Sequence, residues 1–174
     1  MVLAVGLSAC GGGTSDPDEA SGGFKIVEAV SLEDGATVPA PTGDVVLTVN
    51  RGKGDDVVFD LATLESIGLV EGELFEPFFE ERQTFRGVEL SAVLSAAGVP
   101  SSADVHLVAL DDYAIDLSAS DIEQGGILVA TSVDGERIAI SNGGPIRVVF
   151  LDEAKLGQDT DLWIWSLASI YLEI

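Results

Sequence analysis

Phe85-Arg86-Gly87-Val88-Glu89-Leu90-Ser91-Ala92-Val93-Leu94-Ser95-Ala96-Ala97-Gly98-Val99-Pro100 contains the clearest helix in the chain, and the rest reads as strand against it. From Leu90 onward the apolar residues Leu90, Val93, Leu94 and Ala97 fall at i, i+3, i+4 and i+7, one stripe of a helix. Gly98 suits the left-handed residue that ends a helix, and Pro100 cannot continue one. Upstream, Val45 to Val49 and Val57 to Leu61 are short β-branched runs joined by Arg51-Gly52-Lys53-Gly54-Asp55, a composition that predicts a hairpin. Asp60 is placed to cap a short helix from Leu61 to Ile67, with Gly68 at its end.

Downstream the pattern turns to strands: Val105 to Leu110, Ile127 to Val133, Arg137 to Ile140, Ile146 to Leu151 and Trp163 to Leu172. Asp134-Gly135 is a strong hairpin signal. These elements predict an α+β, strand-rich fold with a few short helices. No internal repeat and no second composition boundary appears after Gly23, so one domain is expected over 24–174.

At 174 residues with 47% hydrophobic side chains, the chain has enough apolar material for one packed core. Its 30 acidic and 8 basic side chains give a formal charge of -22, which repels phosphate backbones and argues against nucleic acid as a partner. A single cysteine excludes an internal disulfide, a thiolate metal cluster and a CxxC redox pair.

The apolar run Met1 to Leu7 is too short to span a bilayer. It leads into Leu7-Ser8-Ala9-Cys10, which resembles the lipobox of bacterial lipoproteins, although no Lys or Arg precedes it. That resemblance implies lipidation at Cys10 and an extracytoplasmic protein anchored to a membrane. Residues 11–23 have the Gly/Ser/Asp composition of a flexible linker, so 1–23 reads as a signal remnant and tether.

Several segments, in order, resemble the oxidoreductase molybdopterin-binding domain of the sulfite oxidase family. They are Phe85-Arg86-Gly87-Val88-Glu89-Leu90, Asp111-Asp112-Tyr113, Ile127-Leu128-Val129-Ala130 with Asp134-Gly135-Glu136, Asn142-Gly143-Gly144-Pro145-Ile146-Arg147, and Trp163-Ile164-Trp165. The resemblance covers most of 45–174 and implies the sulfite-oxidase-like fold. It also implies a cleft for a pyranopterin and its phosphate, closed by a cysteine thiolate on molybdenum. This sequence departs from that pattern. Its sole cysteine is Cys10, outside the domain; Asn142 stands where members often carry a histidine; and Leu162 stands where a lysine commonly precedes the final tryptophans.

By the same resemblance Arg86, Tyr113, Asn142 and Arg147 are expected around one ligand pocket. Two roles are open for the arginines: each can hold an anionic ligand through its guanidinium fork, or pair with a buried carboxylate. His106, the only histidine, lies in a strand pattern and reads as a packed or hydrogen-bonded side chain. No Gly-x-Ser-x-Gly elbow accompanies it, so a hydrolase triad is not supported. Asp159-Thr160-Asp161 and Asp16-Pro17-Asp18 do not continue into a calcium loop, and no metal site or catalytic residue is assigned. Trp163 and Trp165 are expected to share a face of one strand and fill the core.

The functional expectation is a cell-envelope lipoprotein whose sulfite-oxidase-like domain is a non-catalytic module. It needs no cofactor and binds a small, weakly anionic ligand or an envelope protein. The alternative is a molybdopterin-dependent oxidoreductase or a subunit of one, with molybdopterin as cofactor.

Overall fold

Two antiparallel hairpins near the amino-terminal end set up two different sheets. The computed structural model describes residues 23–28, 38–52 and 54–173; Cys10 and the tether before Gly23 lie outside the described residues. Strands β2 (Leu47–Asn50) and β3 (Asp56–Phe59) pair antiparallel around the expected Arg51–Asp55 loop. Asp60 caps helix α1 (Leu61–Glu65) by accepting a 2.7 Å hydrogen bond from the Thr63 backbone N–H. The helix ends two residues before Ile67, short of the Gly68 expected to close it.

The second hairpin, β4 (Leu69–Glu76) with β5 (Glu81–Glu89), is the longest pairing in the molecule, and its alternation escapes a sequence reading. Glu71, Glu73 and Phe75 face outward, as a half-buried strand requires, but Gly72 and Glu76 interrupt the inward set. A Cβ on Gly72 would lie 2.9 Å from side-chain atoms of Leu151 and Phe24, so the hydrogen is what fits.

Helix α2 (Leu90–Ala96) follows β5 directly and buries Leu90, Val93 and Leu94, the stripe its spacing predicted. Gly98 ends it at φ 72°. Strands β6 (Val105–Ala109) and β7 (Ala114–Leu117) form a hairpin, helix α3 (Ala119–Glu123) follows, and β8 (Ile127–Val133) crosses back to the other sheet. The turn at Asp134 and Gly135 has φ of 48° and 82°, the left-handed pair that a tight hairpin needs.

Two expected strands are corrected. After β9 (Glu136–Arg137) the chain does not run extended to Ile140; it enters a 3-10 turn over Ile140–Asn142. Gly144 closes that loop against Ile138, where a Cβ would stand 1.9 Å from the carbonyl oxygen. Following β10 (Arg147–Phe150), the segment expected as a strand from Trp163 contributes only a bridge from Ile164 to Val148. Ser166 then turns at φ 53°, and strand β11 begins at Leu167 and runs to Leu172.

One sheet has the order β1 (Lys25–Glu28)-β4-β5-β8-β10, with β9 on β8; the other has β3-β2-β11-β6-β7, in which β11 and β2 run parallel. Both sheets and α2 share one core: Leu47, Val49 and Phe59 from one side and Val88, Leu128 and Val148 from the other. Fully burying each such side chain contributes about 1.5–3 kcal/mol. Between β5 and β8 the register shifts at Arg86/Gly87, a bulge at Thr131. A Cβ on Gly87 would lie 2.1 Å from the Val129 carbonyl oxygen, so the pairing depends on glycine there.

Candidate functional site

Strand β10 is buried on both faces, yet its first residue is an arginine. Arg147 is 2% exposed and donates from Nη2 to Glu76 Oε1 at 2.6 Å. Glu76 ends β4 and is fully buried. Its second oxygen accepts from the backbone N–H groups of Phe78 and Phe79 at 2.8 and 2.7 Å. The turn that follows Glu76 thus cages the carboxylate, and the carboxylate neutralises the guanidinium. Burial pulls the Arg147 pKa below its ordinary value, and Glu76 opposes that shift.

Aromatic rings enclose the pair. The guanidinium carbon lies 4.5 Å from the Trp165 ring centroid and 5.6 Å from that of Phe85. Phe79 stacks on Trp165 at 5.9 Å, and Phe78 meets the edges of Trp165 and Trp163 at 5.6 and 6.3 Å. Both phenylalanines stay about half exposed. Among the described residues, three N–H donors of this cluster, Arg147 Nε, Trp163 Nε1 and Trp165 Nε1, are buried without a hydrogen-bond partner. Leaving such a donor unpaired costs about 1–3 kcal/mol.

The four residues expected around one pocket separate here. Asn142 sits at the rim on an exposed 3-10 turn; the next residue, Gly143, packs so tightly on Trp165 that a Cβ would lie 2.7 Å from its ring. Tyr113 is exposed, and its hydroxyl donates to the Asp161 carbonyl in the turn before Trp163. Arg86 is elsewhere. Phe85 turns toward Arg147, so Arg86, its neighbour along the strand, points to the opposite face, where it pairs with Glu71 at 3.3 Å. Trp163 is buried in the core as expected, but it and Trp165 do not belong to one strand.

Glu76, Phe78 and Phe79 escape the sequence reading. The one available signal is Pro77-Phe78-Phe79, an apolar turn inside an otherwise acidic stretch. His106 is hydrogen-bonded, as its strand pattern suggested: its Nδ1 lies 2.6 Å from Asp116 Oδ1.

Residues 77–154, which hold most of this cluster, match the family model of the oxidoreductase molybdopterin binding domain, the family that the ordered segments resembled. The fold is similar to that in the crystal structure of the sulfane dehydrogenase SoxCD from Paracoccus pantotrophus. The TM-score is 0.57 at 14% identity, over 92% of this chain and 48% of that one. The chain spans about half the length of the chain it matches in that structure. No curated protein matches it.

Molybdopterin is the cofactor that this family implies, and the residues present do not fit it. The described residues contain no cysteine to supply the thiolate. The arginine available to an anionic group is already neutralised by Glu76 and covered by aromatic rings.

Proposed function

We propose that this chain is a non-catalytic binding module with a molybdopterin-domain fold, held at the cell envelope through lipid on Cys10. Its site around Arg147, Trp163 and Trp165 takes a small neutral or weakly anionic hydrogen-bond acceptor. The observation that carries this reading is the pairing at Arg147: its charge is cancelled by Glu76 at 2.6 Å, while Arg147 Nε and both indole N–H groups lack acceptors. Donors of that kind favour an acceptor oxygen over a polyanion, and the chain charge of -22 repels highly charged anions. Phe78 and Phe79, half exposed on the turn between β4 and β5, supply an apolar wall that a ligand displaces on entry.

The membrane attachment rests on Leu7-Ser8-Ala9-Cys10 and the linker behind it. Among the described residues no helix is long and apolar enough to cross a membrane. The match over residues 77–154 favours one second reading, a molybdopterin-dependent oxidoreductase or a subunit of one.

Trp163 and Trp165 are the only tryptophans in the chain, so intrinsic fluorescence reports on the site directly. Titration with monocarboxylates and neutral amides should shift the emission saturably. Trp165→Phe, which removes one unpaired donor and keeps a ring, should weaken binding about fivefold, the equivalent of one hydrogen bond of about 1 kcal/mol. No saturable change with any of these acceptors would reject the binding role.

A further inference from the structure

On the face of the second sheet away from the core, strand register brings together three side chains that are far apart in sequence. Tyr171 of β11 pairs with His106 of β6, and His106 with Asp116 of β7, so the three form one row across adjacent strands. Glu173 lies two residues beyond Tyr171, held by its backbone N–H on the Asp104 carbonyl at 3.0 Å. One ligand atom each of His106, Asp116 and Glu173 falls within 4.8 Å of the others.

The charge here is unbalanced. Every described lysine and arginine pairs with a carboxylate elsewhere. Among the described residues the only side-chain partner of Asp116 is His106, whose Nδ1 lies 2.6 Å from Asp116 Oδ1, and the Glu173 carboxylate has no partner. Two carboxylates converge on one imidazole, which leaves room for one cation.

We propose that His106, Asp116 and Glu173 form a binding site for a first-row divalent metal ion of the zinc type, with water completing the coordination. An imidazole nitrogen with two carboxylate oxygens is a donor set that suits zinc better than calcium or magnesium, which prefer oxygen alone. Donors on a zinc tetrahedron stand about 3.3 Å apart, so the His106–Asp116 contact opens slightly and Glu173 closes in. Asp116 and Glu173 are exposed, so those movements disturb no core packing. The site lies on the other sheet from Arg147 and stands independently of the acceptor role given to that cluster.

The test is calorimetric titration of zinc ion alone into the full chain carrying Cys10→Ser, prepared without a polyhistidine tag and stripped with chelator. About one zinc per chain is expected. His106→Ala and Glu173→Gln should each weaken binding by about 10–100-fold while leaving the melting temperature of the metal-free protein unchanged. Calcium titrated in parallel should bind more weakly and lose nothing on His106→Ala. Absence of zinc binding would overturn the proposal, as would equal zinc affinity in wild type and both variants, the signature of diffuse attraction to an acidic surface.

Discussion

Arg147 and Glu76, 71 positions apart in sequence, meet in the core at 2.6 Å, the arginine on its ring platform and the carboxylate caged by two backbone amides. Both side chains are buried away from the surface. Removing one leaves an uncompensated buried charge, which costs about 3–5 kcal/mol, whereas replacing both by apolar residues of similar size is often neutral or stabilising. Arg147→Met and Glu76→Leu should therefore each lower the denaturation midpoint severely, and the double variant should recover most of the loss. Additive losses in the double variant would show that the two residues do not act as a pair.

Gly87, opposite the bulge at Thr131, gives a second expectation. With a Cβ only 2.1 Å from the Val129 carbonyl oxygen, Gly87→Ala forces β5 and β8 apart where they join the core. A loss of about 1–3 kcal/mol or more is expected in chemical denaturation, the range for overpacking a close-fitted site. An unchanged midpoint would mean the two strands do not approach so closely.

Asp60 ties the amino-terminal segment to α1 and should govern part of the acid sensitivity. Hydrogen bonds from Thr63, then from the backbone N–H groups of Gly43 and Thr42, hold its carboxyl well below the usual range. A folded pKa below the unfolded one gives stability that is present above the ordinary aspartate range, near pH 4, and is lost as pH falls below it. Melting temperature should drop between about pH 4 and pH 2, and the drop should be shallower in Asp60→Asn. Equal slopes in the two proteins would remove Asp60 from that role.

Lipidation at Cys10 has a cellular test. Cells fed a labelled fatty acid should label the wild-type chain, and Cys10→Ala should carry no label and leave the membrane fraction. Stable anchoring needs two acyl chains or more, and the diacylglyceryl thioether that a lipobox cysteine implies supplies two. Equal labelling of both proteins would contradict the anchor.

Much of the fold is legible from local chemistry. The 3.6-residue stripe from Leu90, the Asp60 cap and the Asp134-Gly135 turn each depend on neighbours a few residues away, and each stands in the structure. The β4–β5 hairpin was hidden because Glu76 occupies an inward position, which makes sense only once Arg147 is known to face it. The strand expected at Arg137 to Ile140 fails because Gly144 folds back on the Ile138 carbonyl, and the one expected from Trp163 fails because the Ser166 backbone N–H turns to donate to the Gly143 carbonyl, in a loop far upstream. Of the candidate site, Arg147 is visible as a residue, but the carboxylate that it pairs with lies on a strand 71 positions away. Grouping Arg86 with it failed because alternation along β5 sends Phe85 toward Arg147 and Arg86 away.

We propose that Glu76 takes the place of an external anion at Arg147 and that the domain keeps the fold of a molybdopterin-binding domain without holding that cofactor. Elemental analysis and the absorption spectrum of protein isolated from its native cells test this most directly. Molybdenum far below one atom per chain, with no cofactor absorption, is the expected result; molybdenum near one atom per chain would contradict it.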